Sequence, residues 1–270
     1  MNRPTALVTG ASRGIGKAIA IALAEAGFDV AFTARTVHEG DAVDSDSDLR
    51  LPGSLDATEE LIRAHGANAT PVVMDLMDAA SVDAMAQRVI DLCGVPDVLV
   101  NNAIYQGPGR TARFLDTSLD ELHRLLQGNV VAQWQIIRHF LPAMIDRGRG
   151  TIINVTSAAG MFDPPKPTGE GGWSLGYGAS KGAFHRTAGI LHVEHGPQGI
   201  NAFNLEPGLV HTERMQAVHG EHFQAVAGAG TTPQVIGKVA AYLATHPAAH
   251  EWCGKTLHAQ PFAKKQGFGP

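Results

Sequence analysis

Short apolar, β-branched runs alternate along the chain with longer amphipathic stretches, and the two periods predict two kinds of element. Thr5 to Thr9, Asp29 to Ala34, Thr70 to Met74, Asp97 to Asn101, Thr151 to Thr156 and Ile200 to Leu205 read as strands. Within them Leu7-Val8-Thr9, Val98-Leu99-Val100-Asn101 and Thr151-Ile152-Ile153-Asn154-Val155 are apolar on both faces. That pattern suits a parallel sheet covered by helices on each side. The alternation predicts a doubly wound α/β architecture. No internal repeat and no Pro/Gly/Ser-rich linker divides the 270 residues, so one domain is expected.

Three segments break the alternation. Thr36 to Ser54 carries Asp41, Asp44, Asp46 and Asp48 with few apolar residues and reads as a solvated loop inserted after the second strand. Gly160 to Gly176 holds Pro164, Pro165, Pro167 and five glycines, which excludes a regular helix or a central strand. Glu213 to Thr231, rich in Gly, Ala and His, reads as a mobile flap. Long loops inside compact domains are more often functional than incidental, so all three are candidate insertions or substrate loops.

The candidate chemistry begins after the first strand, at Thr9-Gly10-Ala11-Ser12-Arg13-Gly14-Ile15-Gly16, followed by a helical run from Lys17 to Ala26. Glycines between a strand and a helix permit a tight turn and let backbone N–H groups approach a pyrophosphate at the positive helix end. The spacing is Gly-x3-Gly-x-Gly rather than the commoner GxGxxG. About twenty residues on, where an acid usually meets the ribose 2′-hydroxyl, the second strand ends in Ala34 and Arg35. Asp29 opens that strand and lies at the wrong end of the sheet. Arg35 can pair with a 2′-phosphate, and Arg13 could add a second positive charge.

Tyr177-Gly178-Ala179-Ser180-Lys181 opens a helical run reaching about Glu194. Residues four apart share a helix face, so the ammonium can lie near the phenol. A fixed cation favours phenolate and brings a pKa near ~10 closer to a useful acid/base range. Ser157 ends the strand from Thr151, at the carboxyl edge where open α/β sheets bind ligands. Its hydroxyl could hold a substrate oxygen, although a serine after a strand is more often a turn or cap residue. Asn129 interrupts the apolar helical stretch from Leu125 to Phe140 and needs a partner if buried.

Composition narrows the classes. Charged residues make up 17%, the net charge is −5, and no basic run exceeds Lys264-Lys265, so no nucleic-acid partner is expected. Cys93 and Cys253 form no metal or disulfide pattern, and the apolar run at Ala6 to Val8 is too short for a signal segment or a membrane span. A cytoplasmic protein without membrane contact is expected. Thirteen histidines include His192-x-Glu194-His195 and His219-x2-His222, but the first group lies near a helix end, where histidines commonly meet the last carbonyls. No metal is expected.

Taken together, Thr9-Gly10-x3-Gly14-x-Gly16, Asn101-Asn102-Ala103, Asn129, Ser157, Tyr177-x3-Lys181 and Pro207-Gly208 closely resemble the short-chain dehydrogenase/reductase family, from about Thr5 to about Leu257. The fold expected is α/β, a single-domain doubly wound (Rossmann) fold over residues 1–270 with a mostly parallel seven-stranded sheet. The resemblance implies that Ser157 orients a carbonyl, Tyr177 transfers the proton, Lys181 holds the nicotinamide ribose while tuning Tyr177, and Asn129 binds a water leading to Lys181. The cofactor residues expected on this basis are Gly10, Ser12, Arg13, Gly14, Ile15, Gly16, Arg35, Asp75 against adenine, Leu76, Asn101, Ala103, Tyr177, Lys181, Pro207, Gly208, and Val210 with Thr212 at the nicotinamide amide.

The activity implied is an oxidoreductase with NADP(H) preferred and NAD(H) allowed, acting on an apolar small-molecule carbonyl or alcohol as a homotetramer or homodimer. An NADP(H)-binding sensor on the same fold is the alternative, disfavoured because it has no need of Asn129, Ser157, Tyr177 and Lys181 in register. Three features depart from the family pattern: Ile104 stands where many members have Gly, the Ser157 to Tyr177 interval is long, and His258-Ala259-Gln260-Pro261 replaces a terminal Asp-Gly-Gly. The Thr36 to Ser54 insertion resembles one in the hydroxysteroid-dehydrogenase-like branch.

Overall fold

In the computed structural model, which describes residues 3–44, 48–220 and 230–269, seven strands form one sheet. They are β1 (Thr5–Thr9), β2 (Asp29–Ala34), β3 (Ala69–Val73), β4 (Val98–Asn101), β5 (Gly150–Val155), β6 (Ile200–Glu206) and β7 (Thr256–His258). Their order is β3-β2-β1-β4-β5-β6-β7 and each pairing is parallel. The order reverses between β1 and β4, which opens a crevice at the carboxyl ends of those strands.

Successive side chains on a strand point to opposite faces, and both faces here are apolar. Leu7, Leu99, Ile152 and Ala202 point to one core with Met85, Val89, Ile136, Phe140 and Leu191. Those helical residues come from α3 (Ala79–Cys93), α5 (Ala132–Asp146) and α6 (Leu175–His195). Ala6, Val8, Val100, Ile153 and Phe203 point to the other core with Ile19, Leu23, Ile62, Ile236 and Val239. These belong to α1 (Gly14–Glu25), α2 (Leu55–Ala64) and a helix at Pro233–Thr245.

The two remaining helices before that last one are α4 (Leu119–Leu126) and α7 (Glu213–His219); Pro233–Thr245 is then α8, and α9 is Ala259–Gln266. No helix among the described residues is long and apolar enough to cross a membrane.

The irregular segments differ from their expected form. The Thr36 to Ser54 insertion is largely solvated, with Asp41 and Asp48 exposed, but it is anchored: Asp44 and Leu51 are buried, and Val43 bridges Arg50. The flap expected over Glu213 to Thr231 begins as a helix, because Thr212 caps α7 by accepting the Met215 N–H, and Thr231 pairs with Val210. Residues 221–229, with His222, lie outside the described residues, as does Asp46. Between α4 and α5 the helix widens to a π turn over Gln127–Val131, with the Ala132 N–H reaching Gln127 O. β7 has three residues, too few for a periodic signal.

Candidate active site

The crevice begins at the turn between β1 and α1. Gly10 has φ +69°, and a Cβ there would lie 2.7 Å from Ala103 Cα, while a Cβ on Gly16 would collide with Gly10 O and Asn102 Nδ2. Both glycines are therefore required by close approach rather than by flexibility alone. Asn102 fixes the turn by donating from Nδ2 to Thr9 O at 2.9 Å and to Gly10 O at 3.1 Å. Thr9 Oγ1 in turn accepts the N–H groups of Asn102 and Ala103. Ala103 packs closely on Gly10, whereas the Asn101 side chain is buried and donates to Asn154 Oδ1 between β4 and β5. Asn101 therefore points its amide into the sheet, away from the crevice.

The geometry suits a pyrophosphate. Gly14 opens α1, and its N–H donates to the Glu213 carboxylate at 2.8 Å, so an anion already rests on the positive end of the helix. Lys17, one turn along, forms an ion pair with the same carboxylate. Burial alone would raise the Glu213 pKa, but the Lys17 hydrogen bond and the backbone N–H groups of Glu213 and Gly14 outweigh it and hold the acid below the usual range. Ser12 is buried in the turn and Ile15 packs partly on the core.

Farther out, Arg35 is exposed at the end of β2. Arg13 is drawn into the insertion, where it donates to Pro52 O and Gly53 O at 2.7 Å each. Glu39 accepts the Gly53 N–H. Burial lowers the Arg13 pKa, the Glu213 and Glu39 carboxylates raise it, and Arg35 lowers it again, which places both arginines in one field. Asp44 of the insertion pairs with Arg214 of α7 at 2.6 Å. Asp75 accepts the Met77 N–H and shapes the turn before α3, while the Leu76 side chain is core.

Ser157, Tyr177 and Lys181 meet at the carboxyl edge of β5. Ser174 caps α6 by accepting the Tyr177 N–H at 3.1 Å, and its hydroxyl donates toward Gly109 O and Arg110 O at 2.9 Å each. The first turn of α6 is thereby fastened to the turn at Pro108–Arg110. The Ser157 hydroxyl lies near enough to the Tyr177 phenol to pull its pKa down, while Ser157 Oγ accepts the Ala159 N–H at 3.3 Å. The phenol pKa lies above the ordinary tyrosine value: burial raises it, Ser157 and the Arg110 guanidinium pull it down without reversing the shift, and Glu206 adds to the rise. Burial thus works on the phenol against the phenolate that a lysine four residues on is expected to favour. Lys181, one helical turn on, is buried, donates to Val155 O at 3.0 Å, and has a pKa lowered by burial to about 8.

Asn129 sits on the π turn, buried. Its side chain accepts the Tyr105 N–H at 2.7 Å and its amide faces Tyr105 O and Ser180 Oγ, so its polar atoms are engaged by protein. On the far wall Glu206 accepts the Gly208 N–H at 2.8 Å, and Gln260 donates to Pro207 O and Leu209 O. The chain departure at Gln260 thus clamps the Pro207-Gly208 turn. Val210 is buried, and the Thr212 methyl lies against Gly14.

Four functional candidates escaped the sequence: Lys17, Ser174, Glu206 and Glu213. Ser174 carries a readable signal, a serine directly before a helical run. Lys17 and Glu213 do not, because their relation spans nearly the whole chain.

The profile of a family described as short chain dehydrogenase matches residues 4–222. A 3-oxoacyl-[acyl-carrier-protein] reductase of Synechocystis sp. is 30% identical over 94% of this chain and 94% of its own length. Probable oxidoreductase EphD of Mycobacterium tuberculosis is 34% identical over 76% of this chain, but the chain spans only 31% of that longer protein. Among solved structures, a gluconate 5-dehydrogenase from Burkholderia cenocepacia J2315 in complex with NADP and tartrate superposes with a TM-score of 0.76 at 27% identity, covering 98% of this chain and 96% of that one.

Proposed function

Since this chain belongs to the short-chain dehydrogenase family, we propose that it is an NADP(H)-dependent oxidoreductase interconverting a carbonyl compound and its alcohol, with Tyr177 giving and taking the proton. The observation that carries this reading is the meeting of Ser157 and Tyr177 at the carboxyl edge of β5, with Lys181 one helical turn on and bound to Val155 O of the same strand. The dinucleotide, bound along Gly10 to Gly16 and the Pro207-Gly208 turn, supplies the hydride. Ser157 orients the substrate oxygen beside the phenol. In the reductive direction Tyr177 Oη gives its proton to that oxygen, and a phenol with a raised pKa stays protonated and ready to give at neutral pH. Lys181 spends one hydrogen on Val155 O and keeps the others for the ribose hydroxyls.

Preference for the 2′-phosphorylated cofactor follows from charge. No carboxylate closes β2, Arg35 is exposed there, and Asp44 is engaged by Arg214. A charge-assisted bond contributes about 1.5 to 3 kcal/mol, so one or two correspond to a roughly ten- to thousandfold preference when partly exposed. The test compares kcat/KM for NADPH and NADH in wild type and Arg35→Ala. A variant that keeps its full preference would remove Arg35 from this role.

Apolar substrates are favoured by the segment before α6. Phe162 and Leu175 are exposed and Trp173 half-buried, with the Trp173 ring against Gly178 next to Tyr177. Trp173→Ala should lower kcat/KM for bulky ketones more than for small ones; equal losses across a size series would sink the assignment.

A further inference from the structure

The first turn of α7 carries two charges that bind two separate segments beside the cofactor turn, α1 and the insertion. Glu213 is bound to the Gly14 N–H and to Lys17 on the α1 side. Its neighbour Arg214 is bound to Asp44 of the insertion, whose side chain is 1% exposed. Between them the Thr212 methyl lies over Gly14. α7 is thus fastened beside the phosphate turn by side chains nearly two hundred residues from one segment and about 170 from the other.

We propose that Glu213 is a built-in competitor for the cofactor: in the free enzyme its carboxylate takes the anion position at the start of α1, and the dinucleotide pyrophosphate must displace it. This rests on the reading of Gly10 to Gly16 as the dinucleotide turn.

The chemistry of the two anions makes the competition unavoidable. A carboxylate and a phosphate both accept charge-assisted hydrogen bonds, and both are stabilised by the field of a helix N-terminus. One N–H cannot serve both fully. The geometry also explains why the acid is placed here rather than left in solvent: Lys17 stands one turn into α1 and offers the cation that either anion would use. The depressed Glu213 pKa agrees with a site that selects negative charge. The Arg214–Asp44 pair keeps α7 close by after Glu213 lets go, so the released carboxylate remains tethered at the rim. Cofactor binding and release of this latch are then one equilibrium. The observed affinity is the intrinsic affinity reduced by the fraction of molecules in which the turn is free.

Removing the competitor must tighten binding. Isothermal titration of NADPH into wild type, Glu213→Ala and Glu213→Gln reads this directly. Glu213→Ala should lower Kd roughly three- to tenfold, and Glu213→Gln, which keeps an acceptor without its charge, should fall between. Adenosine 2′-monophosphate has no 5′-phosphate to contest the turn, so its affinity should change much less than that of NADPH, only through the field of Glu213 on Arg13. Circular dichroism confirms that each variant is folded.

If wild type binds NADPH and Glu213→Ala binds it equally or more weakly, Glu213 is a structural support of the turn and the competition is overturned while the dinucleotide reading stands. Binding of adenosine 2′-monophosphate that tightens as much as that of NADPH would point to a general electrostatic effect or loosening and equally overturn it. If neither NADPH nor NADH binds wild type or variants, the dinucleotide reading itself falls, and the competition with it.

Discussion

Tyr177 and Lys181 share one helix face, but their surroundings push both toward the uncharged form. The phenol is raised chiefly by burial, and the ammonium is lowered by burial to about 8. Tyr177→Phe should abolish turnover while leaving cofactor affinity nearly unchanged, because the ring still packs and only the transferable proton is lost; a mutant with comparable kcat would end the mechanism. Lys181 makes a second claim, on stability. The unfolded chain holds the lysine proton up to about 10.5 and the folded chain releases it near 8, so stability should rise with pH across that interval. The full change is on the order of 3 kcal/mol. Urea midpoints for wild type and Lys181→Met, measured from pH 7 to 11, should converge or cross as pH rises; parallel curves would show that burial does not shift Lys181. The tyrosine and lysine were legible as a pair from their spacing. The direction of the phenol shift was not, because it depends on how tightly the turn at Pro108–Arg110 and the end of β6 close around the ring.

At the level of elements, Ser174 joins two of them. Its hydroxyl receives the Tyr177 N–H and meets Gly109 O and Arg110 O, so one side chain both starts α6 and fixes the neighbouring turn. Ser174→Ala should cost about 1 to 2 kcal/mol in stability, at the upper end of capping losses because buried carbonyls lose a donor. It should also reduce kcat more than cofactor affinity. A thermal melt and steady-state kinetics separate the two effects, and an unchanged kcat would confine Ser174 to stability. The helical run itself was readable as opening at Tyr177 and reaching about Glu194, against the Leu175–His195 observed. The π turn at Gln127–Val131 was not, since one extra residue in a helix leaves the apolar pattern almost intact. The anchoring of the insertion was also missed: four aspartates predict solvation, and nothing local announces that Asp44 meets Arg214.

For the whole molecule, the parallel sheet was written in the strands that are apolar on both faces, while their order β3-β2-β1-β4-β5-β6-β7 came only from the structure. The seventh strand was hidden by its length. Packing between helices was hidden too, as at the crossing of α1 and α8, where a Cβ on Gly237 would lie 2.6 Å from Ala18 O. Gly237→Ala should force the helices apart and cost about 1 to 3 kcal/mol, visible as a lowered melting temperature. An unaffected melt would mean that the crossing relaxes freely.

The hold of the insertion on Arg13 has an evolutionary reading. Pro52 and Gly53 lend their carbonyls to a guanidinium that belongs to the cofactor turn, and a Cβ on Gly53 would press 2.5 Å from Ser12 O. Loop exchange among relatives is thereby constrained: a chimera that takes a foreign segment for residues 36–54 strands Arg13 without its acceptors, and one that takes a foreign turn strands the carbonyls. The two segments, distant in sequence, should pass between lineages as a single heritable unit.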